Sequence, residues 1–150
     1  MKMKTESDRQ SGIEALGIPL KGVGKEKVKG EVLRWKGSIS FLGDVDPEKG
    51  TLTKDDLVRD LKDRILVFEE GAGSTVGSYV VYNLRLYDKA PLAMVMSRAD
   101  AIITIGCILA DIPLINRVNE DIMNDIATGD TLELDPVSGR ISVWKGNARL

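Results

Sequence analysis

Histidine is absent from this chain of 150 residues, and cysteine occurs once, as Cys107. Without imidazole there is no Ser-His or Cys-His nucleophile pair, no histidine general base and no supply of the commonest zinc ligand. A lone thiol makes no internal disulfide and cannot by itself hold an iron–sulfur cluster, which ordinarily takes several thiolates. Cys107 stands in the apolar phrase Ile105-Gly106-Cys107-Ile108-Leu109 and reads as a buried, inert thiol.

Long hydrophobic runs are also missing: none reaches the length of a membrane span. The start MKMKTESDRQSG lacks the apolar centre of a secretory signal, so the expectation is a cytoplasmic protein with no membrane partner. No large excess of either charge is present, with 21 Lys and Arg against 23 Asp and Glu. A surface that attracts nucleic acid is therefore not expected.

What is there suits one domain. At this length, with 43% hydrophobic and 29% charged positions, the chain can bury a real core but has no room for a second full domain. Residues 1–27 are rich in Lys, Glu, Ser and Gly and show little periodicity beyond Ile13 to Leu20, so they read as a charged N-terminal extension. The domain itself is expected over residues 28–150.

Within it, Gly30 to Trp35 and Ile39 to Leu42 read as short strands parted by a Lys36-Gly37-Ser38 turn. Gly43 to Gly50, "GDVDPEKG", is a structured turn, and Thr53 caps a short helix through Leu61. Arg64 to Phe68 is a strand buried on both faces, broken by Gly71 and Gly73. Val76, Tyr79, Val80, Asn83, Leu84 and Tyr87 then form one helical stripe. Leu92 to Met96 and Ile112 to Ile115 are further buried strands, separated by an apolar turn region. Asn119 caps a short helix that stops at Gly129, and Thr131 to Leu134 with Arg140 to Trp144 makes a closing hairpin. The class is mixed α/β, with a small parallel sheet and additional strands paired beside it.

The segment "GAGSTVGSYVVYNL", Gly71 to Leu84, carries the chemistry. A helix start offers unpaired N–H groups and a partial positive charge, and the glycines let a ligand come close. No Gly-Lys-Ser/Thr triplet follows and the glycines lack dinucleotide spacing, which removes both nucleotide-loop readings. Two remain open for Ser74: an ordinary helix cap, or a hydroxyl that acts on substrate with its alkoxide stabilised by the amides of the next turn.

"SFLGDVDPEKG" (40–50), "ILVFEEGAGSTVGSYVVYNL" (65–84), "KAPLAMVMSRADAIITIGCILADIPLI" (89–115) and "GDTLELDPVSGRISV" (129–143) together resemble the small subunit family of aconitase X. That family includes the archaeal phosphomevalonate dehydratase. The resemblance implies a swivelling β/β/α domain like the fourth domain of aconitases. It also implies a separate large subunit that carries an iron–sulfur cluster, with no cofactor on this chain. Ser74 matches the family's proton acceptor, which takes a proton from the carbon beside the substrate carboxylate while cluster iron assists the departing hydroxyl. Gly73, Thr75 and Ser78 would shape or contact the site, with Gly43 and Asp46 in the neighbouring loop.

The substrate implied is a small phosphorylated hydroxy acid, (R)-5-phosphomevalonate, dehydrated to trans-anhydromevalonate 5-phosphate in the archaeal mevalonate route. Ordinary aconitases have Ser-Ser-Arg where this chain has Ser74-Thr75-Val76, which suits a substrate with a single carboxylate near the reacting carbon. Alternatives are a cis-3-hydroxy-L-proline dehydratase subunit and a non-catalytic module that binds an anion or docks to a partner. The family's Gly-Gly pair before Val-Asp-Pro is replaced by Gly43-Asp44.

Overall fold

The computed structural model describes residues 11–146. Its central feature is a run of parallel strands: β3 (Val28–Ser40), β7 (Arg64–Ala72), β8 (Ala93–Arg98) and β9 (Leu114–Asn116) lie side by side in that order. β7 sits in the middle, which is why Ile65 to Phe68 are fully buried and read as an unbroken apolar run. Alternation divides them between two cores. Leu66 and Phe68 join one apolar cluster with Met94 and Met96, while Ile65 and Val67 join another with Ala93 and Val95.

Helices cover the first cluster. Val81 and Leu84 of α2 (Gly77–Leu86) and Ile103 and Cys107 of α3 (Ala101–Ala110) pack there, as does Phe41 of the single turn α1 (Phe41–Asp44). Phe41 meets Phe68 edge-on at 5.9 Å between ring centroids. The second cluster is covered by strands: Ile13 of β1 (Ser11–Leu16), Leu132 and Leu134 of β10 (Thr131–Leu134), and Ile141 and Val143 of β11 (Arg140–Trp144). Met123 of α4 (Glu120–Asp125) closes its end. The layers are therefore β, β and α.

The large sheet runs β1-β11-β10-β3-β7-β8-β9-β2, with β2 formed by Ile18–Pro19. Its edge strands, β1 and β2, are separated in the chain by Gly17 alone, so the sheet must curl until its two edges meet. Gly17 makes that corner possible: a Cβ there would lie 2.4 Å from Ile115 Cγ2 and 2.8 Å from the Asn116 carbonyl oxygen.

The structure differs from the sequence reading in several places. β1 and β2 fall in the segment read as an extension; β1 pairs antiparallel with β11, and Ile13 is buried. The ordered domain thus reaches back at least to residue 11, and residues 1–10 of the expected extension lie outside the described residues. The two short strands around Gly37 are one strand, β3, with a register shift between Trp35 and Ser38, and Phe41 onward is helical instead of extended.

The helix expected from Thr53 is an antiparallel hairpin of β5 (Thr51–Lys54) and β6 (Leu57–Asp60), which with β4 (Val45–Asp46) forms a three-stranded sheet. Asp55 and Asp56, both at positive φ (51° and 66°), make the two-residue turn that selects a hairpin. The apolar region before β9 is the helix α3. It escaped recognition because "AIITIGCILA" has no polar face, although Asp100 Oδ1 caps it by accepting the Ile103 amide at 2.9 Å. α4 starts at the expected cap, Asn119, but ends before Ile126 and not at Gly129.

Candidate functional site

β3, β7 and β8 are parallel neighbours, and each runs at its carboxyl end into a helical start. Ser40 leads into α1, the Ser74 turn into α2, and Asp100 into α3. In open parallel sheets this edge is where ligands meet the chain, because loops and helix starts converge there. A Cβ on Gly71 would stand 3.4 Å from Asp100 Oδ2 and 2.8 Å from Ile103 Cγ1, which shows how closely the second and third starts approach.

β7 continues through Gly71 and Ala72, and Gly73 at φ +92° then turns the chain. Ser74 follows, exposed, two residues ahead of the helix cap position at Val76. Its carbonyl accepts the Gly77 amide at 2.9 Å, and its Oγ accepts the Val76 amide at 3.2 Å. Ser74 thus sits in the turn that introduces α2 without being its cap residue. The Val76 amide is thereby directed at Oγ, the local hydrogen bond of a serine turn.

Thr75 is exposed beside it. Ser78 is buried, and its Oγ donates to the Thr75 carbonyl at 3.0 Å, so its hydroxyl serves the first turn of the helix. The helical stripe is also rotated from the one expected. Gly77, Ser78, Val80, Val81 and Leu84 face inward, whereas Val76, Tyr79 and Tyr87 are exposed. The small residues Gly77 and Ser78 turn inward because α1 and α3 approach there: a Cβ on Gly77 would lie 3.6 Å from both Phe41 and Ile102 side-chain atoms.

Gly43 is brought to the same edge through Ser40, whose Oγ accepts the Gly43 amide at 3.3 Å and lies against Gly73. Asp44 receives the Ser40 amide on Oδ2 at 3.0 Å, so this departure from the family pattern closes the α1 turn. Asp46 is occupied locally: Oδ1 accepts the Glu48 and Lys49 amides at 3.0 and 3.1 Å, and nothing among the described residues joins it to Ser74. The sequence reading missed Ser40, which it placed inside a strand. The available signal was a serine three residues before the glycine whose amide it caps.

Ser74 lines neither of two clefts of about 400 Å³: one lies among Lys25, Asp63, Pro91 and Pro113 at the opposite ends of the strands, and the other among Glu14, Lys27, Glu133 and Arg140. On this chain the serine turn is an open surface. Val76 and Tyr79, which follow it, and Leu42 of α1 are exposed apolar side chains. Cys107 is buried, with the loss of solvation pushing its thiol up to about 12. Among the described residues no three His, Cys, Asp or Glu side chains converge as a metal site. Cys107, the single thiol of the sequence, is buried, so the described residues present no ligand set for an iron–sulfur cluster. Among the described residues no helix is long and apolar enough to cross a membrane.

The family model described as the aconitase X swivel domain matches residues 18–143. The phosphomevalonate dehydratase small subunit of Pyrococcus abyssi is 42% identical over 126 residues, covering 82% of this chain and 95% of that one. The protein of the same name from Methanococcoides burtonii is 36% identical over 129 residues, covering 84% and 94%. The crystal structure of Thermococcus kodakaraensis aconitase X in its holo-form is similar with a TM-score of 0.78 at 36% identity, over 89% of this chain and 100% of that one.

Proposed function

The chain belongs to the aconitase X swivel domain family, and from that premise we propose that it is the small subunit of a phosphomevalonate dehydratase. It would work against a larger subunit, to which the iron–sulfur cluster is assigned. The observation that carries this reading is Ser74: an exposed hydroxyl at the carboxyl edge of the parallel strands, with the Val76 amide aimed at its oxygen. The open serine turn and the uncovered Leu42, Val76 and Tyr79 fit a site whose other wall is a second polypeptide.

In this reading the Ser74 oxygen removes a proton from the carbon next to the carboxylate of (R)-5-phosphomevalonate. The C–H electrons become the new C=C bond, the neighbouring hydroxyl departs with the C–O electrons as hydroxide, and the proton held on Ser74 passes through solvent to that hydroxide, giving one water and restoring the base. A serine alkoxide is costly near neutral pH, so the Val76 amide and the field of the α2 start supply only part of its stabilisation. The rest would come from the covering subunit. Val76 stands where ordinary aconitases place an arginine, so this chain offers no cation there for a second carboxylate.

The test is reconstitution with the larger subunit and assay of 5-phosphomevalonate, cis-3-hydroxy-L-proline and citrate. Dehydration of phosphomevalonate that is lost in Ser74→Ala, with assembly retained, is the expected result. Turnover undiminished in Ser74→Ala would instead make the chain a non-catalytic cap. Preference for hydroxyproline would move it to the related dehydratase.

A further inference from the structure

We infer that Ser40 is a positioning residue for the serine turn; this rests on the reading of Ser74 as the base. Ser40 is the last residue of β3, and its register partner on β7 is Ala72. One residue further along β7 the chain leaves the sheet at Gly73, whose φ of +92° sets the direction in which Ser74 is delivered. Ser40 Oγ occupies the space beside that residue: a Cβ built on Gly73 would lie 2.6 Å from Ser40 Oγ and 3.4 Å from Ser40 Cβ. The hydroxyl is a fence against which the first bend of the turn rests.

Ser40 is itself held from both sides. Its Oγ accepts the Gly43 amide at 3.3 Å, and its own amide donates to Asp44 Oδ2 at 3.0 Å. The Ser40 side chain thus lies between the α1 turn, which it caps, and the bend at Gly73. Proton abstraction from carbon tolerates little displacement of the base, and a misplacement of about 1 Å can lower a rate about a hundredfold. Ser40 would act on the rate through Ser74 without touching substrate.

The experiment uses the complex with the larger subunit. Ser40→Ala is expected to lower kcat about tenfold to a hundredfold and to leave KM within about threefold, with assembly retained. Gly73→Ala meets the Ser40 hydroxyl, so its further loss of kcat should be smaller in the Ser40→Ala background than in the native one. Should Ser40→Ala fail to assemble, Asp44→Asn, which weakens the hold on the Ser40 amide, is expected to lower kcat in the same direction with KM held. An unchanged kcat in Ser40→Ala, or in Asp44→Asn when that variant has to decide, overturns the inference. So do independent effects of the Ser40 and Gly73 substitutions. Ser74→Ala separates the two ideas: if it is inactive while Ser40→Ala is fully active, only the positioning role fails. If Ser74→Ala is active, both fall together.

Discussion

Arg34 and Glu69 form a two-pronged ion pair across the adjacent strands β3 and β7, with Nη1 to Oε1 at 3.0 Å and Nη2 bonded to Oε2. The arginine side chain is 3% exposed and the glutamate 20%. Arg34 also donates through Nε to the Met123 carbonyl at 3.0 Å and through Nη1 to the Val67 carbonyl at 3.2 Å, so its donors bind α4 to the sheet. Partial burial alone would raise the Glu69 pKa, but the Arg34 hydrogen bond and the Gly37 amide outweigh it and hold the carboxyl below the ordinary glutamate range.

A lowered native pKa means that stability from Glu69 is complete above the ordinary glutamate value and is lost as pH falls through the lowered one. Glu69→Gln should therefore flatten the acid limb of a stability-against-pH curve measured by urea unfolding. At neutral pH it should cost about 1–3 kcal/mol, because the buried Arg34 keeps its carbonyl partners but loses a counter-ion that is itself partly exposed. An acid limb identical to that of the native chain would show that the pair contributes nothing.

Ile13 tests whether the early strand is part of the domain. It is buried among Ile141, Val143 and neighbours, so Ile13→Ala should cost about 2–5 kcal/mol in chemical unfolding. A residue in a solvated arm would give almost no change.

Gly106 lies where α3 crosses α2: a Cβ there would stand 2.9 Å from Val81 Cβ. Gly106→Ala should force the helices apart and lower stability by about 1–3 kcal/mol, read as a fall in Tm. Val81→Ala in the same chain should not restore it, because the Val81 Cβ that stands nearest is retained in alanine. If Gly106→Ala is as stable as the native chain, the helices do not approach this closely.

Cys107 should be silent to thiol reagents in the folded protein at neutral pH. Burial holds its thiol near 12, and thiolate, the reacting form, is scarce there. Labelling should begin only with unfolding and follow the same denaturant curve. Rapid labelling of the native chain would place Cys107 at an accessible surface instead.

Much of the fold could be read from local pattern. Ile65 to Phe68 and Met94 to Met96 were legible as buried strands because short apolar runs bounded by polar residues suit the middle of a parallel sheet. The closing hairpin was legible from its alternation and from the turn of Asp135 to Gly139. α3 was not, since a helix that is apolar all round has no period to detect. Asp55 and Asp56 decided a hairpin by adopting left-handed backbone angles, which composition alone does not reveal. The inward face of α2 was set by its neighbours: Gly77 and Ser78 yield to α1 and α3, so Tyr79 and Val76 are turned outward.

The order of residues by itself determined which chemistry is absent, through the lack of histidine and the single thiol, and it singled out Ser74 behind its glycines. Short-range bonding explains this, since a turn and its nearest amides are set within a few residues. Tertiary structure alone decided that Ser40, 33 positions ahead of Gly73, fences the serine turn, and that residues 11–19 seal the edges of the sheet. Those outcomes depend on strand register and sheet curvature, which join segments far apart in the chain and leave no local signature.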